Sequence, residues 1–137
     1  MKIYVLGVCG TFMGGLAQLA VQKGFEVAGC DENAYPPMSN VLAEQGIKVD
    51  QGFSTRNIAD DIDLFVIGNV VSRGNPMMEE ILKRRLKFVS GPQFLTESIL
   101  EDRHVIAVSG THGKTSTSSM LAKVLIDAGL DLSLIHI

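Results

Sequence analysis

Two stretches of the chain share one plan: an apolar run, a cluster of glycines, then apolar residues at helical spacing. The first passes from Lys2–Leu6 through Gly7, Gly10, Gly14 and Gly15 to Leu16, Ala17, Leu19, Ala20 and Val21. The second passes from residues 105–108 through Gly110 and Gly113 to Met120, Leu121, Val124, Leu125 and Ala128. Each spacing predicts a strand that turns through glycine into a helix. Glycines let backbone N–H groups converge on an anion, and the helix N-terminus adds partial positive charge. The plan therefore predicts an α/β chain with two phosphate cradles.

The second cradle reads Gly110-Thr111-His112-Gly113-Lys114-Thr115. Lys114 supplies a full charge able to reach terminal phosphates, and the Thr115 hydroxyl suits Mg²⁺. The general phosphate-loop pattern has a glycine five residues before the glycine of its Gly-Lys pair. Here Val108 holds that place and Gly110 lies three before Gly113. The bland alternative is a glycine-rich turn with a chance Lys-Thr.

In the first stretch, residues 25–29 read as a second strand with Asp31 at its end. This is a β-α-β unit with an acid placed where a ribose hydroxyl is bound in dinucleotide folds. The G-x-G-x-x-G fingerprint fails, because Cys9 and Phe12 occupy its other glycine places. A nucleotide site is expected, but a nicotinamide site does not follow.

The middle of the chain continues the alternation. Residues 38–45 read as a short helix stopped by Gly46, 47–49 as a strand, and 63–67 as another strand. A loop over 68–76 follows, in which Asn75 caps a helix that begins at Pro76 and runs to residue 85. Residues 87–90 read as a strand broken by Gly91-Pro92, and residues 94–100 as a helix. Glu101-Asp102-Arg103 is a charged linker. The expected fold is a doubly wound, mostly parallel, Rossmann-like sheet over residues 1–100, followed over 101–137 by the beginning of a phosphate-loop ATPase domain. Roughly 35 residues cannot bury a core of their own, so the chain is expected to break off inside that second domain.

Composition narrows the function. Of 137 residues 46% are hydrophobic, enough for a core, and the net charge of −3 gives no electrostatic case for nucleic acid or an anionic membrane. No apolar run is long enough to span a bilayer. The N-terminal apolar stretch is short and runs into glycines, unlike a signal peptide. Cys9 and Cys30 lack metal-ligand spacing, so reduced thiols and a cytoplasmic location are expected.

Two glycine loops in this order, with Gly110-Thr-His-Gly-Lys-Thr115 in the second, resemble the Mur ligases of peptidoglycan synthesis. The first loop, Gly7-Val-Cys-Gly-Thr-Phe-Met-Gly14, is similar to that of the branch that adds L-alanine. Gly68-Asn-Val-Val-Ser-Arg-Gly-Asn-Pro76 and Ser90-Gly-Pro-Gln-Phe-Leu95 look instead like the branch that adds the recycled tripeptide L-alanyl-γ-D-glutamyl-meso-diaminopimelate to UDP-N-acetylmuramate. The resemblance covers residues 1 to about 130 and implies three domains, of which the first and the start of the second are here. Within the family, residues 132–137 would be a strand leading to paired glycines. Their absence implies a foreign tail or a strand that stops early.

The resemblance further implies ATP-dependent activation of the lactyl carboxylate as an acyl phosphate, which the amine of the incoming peptide then attacks. Gly110, Thr111, His112, Gly113, Lys114 and Thr115 would hold ATP, with Lys114 catalytic and Thr115 on Mg²⁺. Gly7, Gly10, Met13, Gly14, Asp31, Ser72, Arg73 and Asn75 would serve the UDP-sugar, with Arg73 on the diphosphate.

Several residues have plainer readings. His112 touches phosphate or is a loop residue fixed by the turn. Asp31 binds the uridine part or only caps and solvates. Asn75 is better read as a helix cap, and His104 and His136 as structural. Met77-Met78 is packing, and Lys83-Arg84-Arg85 a solvated helix end. Two other classes remain open: a nicotinamide-binding module, against which the missing fingerprint argues, and a UDP-sugar-binding module without catalysis.

Overall fold

The structure, a computed structural model, describes residues 1–135; His136, read above as structural, lies outside them. Five strands, β1 Lys2–Leu6, β2 Glu26–Asp31, β3 Lys48–Gln51, β4 Leu64–Ile67 and β5 Phe88–Ser90, form one parallel sheet in the order β3-β2-β1-β4-β5. Helices α1 Thr11–Gln22, α2 Met38–Glu44, α3 Pro76–Lys83 and α4 Gly91–Phe94 alternate with them. The expected doubly wound sheet is therefore present.

β1 is central and buried on both faces, as a parallel sheet covered by helices requires. Its side chains alternate. Ile3 and Val5 join Leu16, Ala17 and Ala20 of α1 in one core, together with Phe94, Leu95 and Ile99. Tyr4 and Leu6 join Met77 and Ile81 of α3 in a second core on the opposite face.

Asn75 caps α3 as expected, its side-chain oxygen accepting the N–H groups of Met77 and Met78 at 3.0 and 3.2 Å. The helix expected over 94–100 starts earlier, at Gly91. The Ser90 hydroxyl accepts the Gln93 N–H at 3.2 Å and Pro92 sits in the first turn, where its missing N–H costs nothing. The segment continues as a π-helical turn over Leu95–Ile99, with the Leu100 N–H donating to the Leu95 carbonyl at 2.9 Å. A 3₁₀ turn at Thr55–Asn57 was not expected from the sequence.

The strand expected over residues 105–108 is a correction. These residues carry no strand pairing, and Val105 and Ile106 are about half exposed. A strand satisfies its backbone only through a neighbour, and among the described residues no strand lies beside this one. The helix after it, α5 Lys114–Asp127, satisfies its backbone internally and forms as expected. Among the described residues no helix is long and apolar enough to cross a membrane.

Candidate functional site

Strand order locates the first site. From β1 the chain moves outward to β2 and β3, then returns to the other side of β1 for β4 and β5. Ligands of open α/β sheets bind where the order reverses, beyond the carboxyl ends of the strands. Here that point lies between the loops after β1 and after β4. The two ends are joined: the Gly68 N–H donates to the Leu6 carbonyl at 2.9 Å.

The loop after β1 is folded inward. The Gly7 and Val8 N–H groups both donate to the Cys30 carbonyl, at 2.8 and 3.1 Å, and the Gly10 N–H donates to the Gly7 carbonyl at 3.3 Å. Gly7 has φ +81°, and a Cβ there would lie 2.8 Å from Val70 Cγ2 of the facing loop. Conformation and close approach both demand glycine. Gly10 caps α1 without a side chain, and the first turn of α1 carries no acid. The outward amides at this end are therefore those of Thr11, Phe12 and Met13, which have no intrahelical acceptor.

Met13 and Gly14 lie deeper than a surface contact. The Met13 side chain is buried, its Sδ 2.7 Å from where a Gly91 Cβ would stand. Gly14 is buried within α1, its N–H bonded to the Gly10 carbonyl at 2.7 Å. A Cβ on Gly14 would stand 2.8 Å from Met38 Sδ, so this glycine admits α2. Only the backbone of Met13 can face a ligand.

Asp31 is brought to the first loop. Its Oδ2 accepts the Cys9 N–H at 2.9 Å and its Oδ1 the Asn33 N–H at 3.0 Å. On the facing loop, Ser72 and Arg73 are exposed at the rim. The guanidinium of Arg73 is engaged by Glu79, Nε to Oε1 at 2.8 Å and Nη2 to Oε2 at 3.2 Å, and the Gly74 N–H also reaches Oε1 at 2.9 Å. Arg73 and the Gly74 amide hold the Glu79 carboxyl down at about 2, and Glu79 in turn raises the Arg73 guanidinium. Sequence reading missed Glu79. Its position in the first turns of a capped helix, where acids are favoured, was the available signal.

The second loop is built differently. Gly113, at φ +75°, is the N-cap of α5, with no side-chain cap and no acid in the first turn. Lys114 folds back so that its Nζ donates to the Gly110 carbonyl at 2.7 Å. Thr115 is the second helical residue, and Thr111 and His112 are exposed with the rest of the loop. Among the described residues, the hydrogen bonds of this loop stay between residues 110 and 119.

The model of the Mur ligase family, catalytic domain, matches residues 2–103. The chain is 50% identical over 129 residues to the UDP-N-acetylmuramate--L-alanyl-gamma-D-glutamyl-meso-2,6-diaminoheptandioate ligase of Escherichia coli, covering 94% of this chain and 28% of the relative. It is 38% identical over 133 residues to a UDP-N-acetylmuramate--L-alanine ligase of Clostridium kluyveri, covering 95% of this chain and 28% of that one. Among solved structures it superposes on a murein peptide ligase from Psychrobacter arcticus with a TM-score of 0.92 at 50% identity, covering 96% of this chain and 27% of that one. The chain thus spans about 28% of the length of the curated relatives it matches.

Proposed function

The chain belongs to the Mur ligase family, and from that premise we propose that it is the N-terminal part of an ATP-dependent ligase joining UDP-N-acetylmuramate to L-alanyl-γ-D-glutamyl-meso-diaminopimelate. The observation that carries the choice of acceptor is the identity of 50% to ligases named for that tripeptide, against 38% to the L-alanine ligase of Clostridium kluyveri. Residues 1–100 form the UDP-substrate domain and 101–137 the beginning of the ATP-binding domain. Cys9 and Cys30, both free thiols, suit a reducing cytoplasm.

The crevice between the loops after β1 and β4 takes the UDP part. The uncapped first turn of α1 offers its amides and the helix dipole to the diphosphate. Gly7 and Gly10 give it room, and Ser72 offers a hydroxyl at the rim. Arg73 has five N–H donors and gives two to Glu79, so it can serve the diphosphate without leaving its partner. Asn75 holds this loop in place by capping α3.

The residues at α5 fit a nucleoside triphosphate with its Mg²⁺. The helix start has no side-chain cap and no acidic neighbour, and a cation stands over the loop. Lys114, now on the Gly110 carbonyl, would exchange that neutral acceptor for a phosphate oxygen, a stronger charge-assisted bond. Thr115 would hold Mg²⁺ through its hydroxyl, and Gly110, Thr111, His112 and Gly113 would shape the cradle. ATP would supply the phosphoryl group that turns the lactyl carboxylate into an acyl phosphate, releasing ADP, and the peptide amine would then displace inorganic phosphate. These residues position the phosphates and neutralise charge, which is most of what phosphoryl transfer asks of a protein.

The test is acceptor choice. The full-length protein, given UDP-N-acetylmuramate and Mg-ATP, is expected to release phosphate with the tripeptide and not with free L-alanine. Turnover with L-alanine alone would place the protein in the other branch. Saturable UDP-sugar binding without phosphate release on either acceptor would favour a non-catalytic binding module.

A further inference from the structure

Asp31 is the one buried charged residue among those described, with 8% of its surface exposed. The last two residues of β2 take three consecutive amides of the loop after β1: Gly7 and Val8 on the Cys30 carbonyl, and Cys9 on the Asp31 carboxylate at 2.9 Å. The other carboxylate oxygen takes Asn33 in the loop after β2, at 3.0 Å. Cys9 stands immediately before Gly10, the N-cap from which α1 sets out. Fixing Cys9 therefore fixes the direction in which the first turn of α1 points its amides.

We propose that Asp31 is a positioning residue: it holds the loop after β1 so that the first turn of α1 meets the diphosphate, and it does not itself bind the ribose. The inference rests on the UDP-sugar reading above and departs from the ribose-binding role an acid at this position would ordinarily suggest. Each oxygen already accepts one backbone N–H, and the side chain is nearly closed to solvent. Its negative charge is offset by two amides, which makes a carboxylate tolerable beside an anion site. Asparagine cannot replace it: one acceptor and one NH₂ group facing two N–H donors leave one bond broken and a donor against a donor.

The test is calorimetry on the full-length protein and its Asp31→Asn variant, with UDP-N-acetylmuramate and its 2′-deoxyuridine and 3′-deoxyuridine counterparts. Loss of one charge-assisted hydrogen bond corresponds to roughly ten- to more than a hundred-fold in affinity, and the same loss is expected for all three ligands. Hydrogen exchange at residues 7–12 should also quicken in the variant without ligand. If Asp31 binds ribose, the loss will shrink toward nothing for the ligand that lacks the contacted hydroxyl, and the proposal falls. Unchanged affinity for all three ligands also overturns it. Failure of the unaltered protein to bind any of them overturns the functional reading and this inference with it. Should Asp31→Asn not fold, Asp31→Glu keeps the charge but misplaces both oxygens, and the two roles again separate by equal or ligand-dependent loss.

Discussion

Arg73 and Glu79 face each other in fork geometry, each nitrogen of the pair on a different carboxylate oxygen, at the entrance to α3. The pair closes the loop after β4 onto the helix that follows, so the rim of the crevice and the second core share one anchor. Arg73 depresses the Glu79 carboxyl from an ordinary 4.5 to about 2, with the Gly74 amide adding to it. A depressed carboxyl contributes stability that is present above its unfolded value and lost as pH falls toward its folded one. The Glu79 contribution is thus complete above about pH 4.5 and disappears toward pH 2. Carbon-detected NMR titration should find its midpoint well below that of free glutamate. In Arg73→Ala it should rise but stay below 4.5, because the Gly74 amide remains. The pair is exposed, so high salt should weaken the shift.

Asn75→Ala removes an acceptor of two N–H groups at the start of α3. The expected cost is about 1 kcal/mol, within the usual range for a lost N-cap. A urea titration would measure it. An unchanged midpoint would mean that the Glu79 contacts hold this helix end by themselves.

Gly68→Ala should cost more. A Cβ at Gly68 would lie 2.7 Å from the Leu6 carbonyl oxygen and 3.2 Å from Met13 Cγ. The first is backbone of the central strand and cannot yield cheaply. Overpacking of this kind costs about 1–3 kcal/mol. The shift would fall on the two loops of the crevice, so UDP-sugar affinity should drop along with the denaturation midpoint. A stable variant with unaltered binding would contradict the close packing at this point.

How much of this was legible in the sequence follows from the range of each interaction. The strands and helices up to residue 90 were readable because apolar spacing and caps are local, as Asn75 and Pro76 illustrate. The Asp31 tie was not, since its partner Cys9 lies 22 residues away and is a backbone amide that no motif marks. The burial of Met13 and Gly14 was hidden for the same reason: it depends on α2 and on Gly91. The strand over 105–108 failed in the opposite way. Its apolar pattern is right, but a strand is a property of two segments, and the described residues supply one.

That difference predicts how the 137-residue chain behaves in solution. The crevice stands at the end of a central strand, β1, that is buried on both faces, whereas Met120, Val124 and Ile126 on α5 are each more than half exposed. The chain should bind UDP-N-acetylmuramate and bind Mg-ATP weakly, because among the described residues no strand lies beside residues 105–108 to brace the second loop. Exposed apolar surface should also promote self-association at high concentration. Calorimetry with both ligands tests this, and tight Mg-ATP binding without a response to the UDP-sugar would reverse the assignment. In the full-length protein, Lys114→Ala removes a charge-assisted contact worth about 1.5–3 kcal/mol, so ATP affinity should fall roughly ten- to more than a hundred-fold.

Tyr4 carries the last prediction. It sits on the central strand, and its hydroxyl crosses β2 to donate to Asp50 Oδ2 on β3 at 2.8 Å. Burial, the neighbouring Cys30 and the bond to Asp50 all raise the phenol above its ordinary 10.0, and burial pushes the Cys30 thiol up to about 12. Both groups bind their protons more tightly folded than unfolded, so stability is full below the unfolded values and falls as pH rises past about 9. Tyr4→Phe deletes the hydroxyl and leaves Asp50 with Lys48 at 3.4 Å. Because Asp50 keeps a cation and some solvent, the expected cost at pH 7 is about 1 kcal/mol, that of one hydrogen bond. The alkaline fall should be shallower in the variant, since only Cys30 then contributes from this cluster. Urea midpoints between pH 7 and 10.5 would separate the two effects. An identical alkaline slope in both proteins would show that the Tyr4 phenol titrates no differently in the folded chain than in the unfolded one.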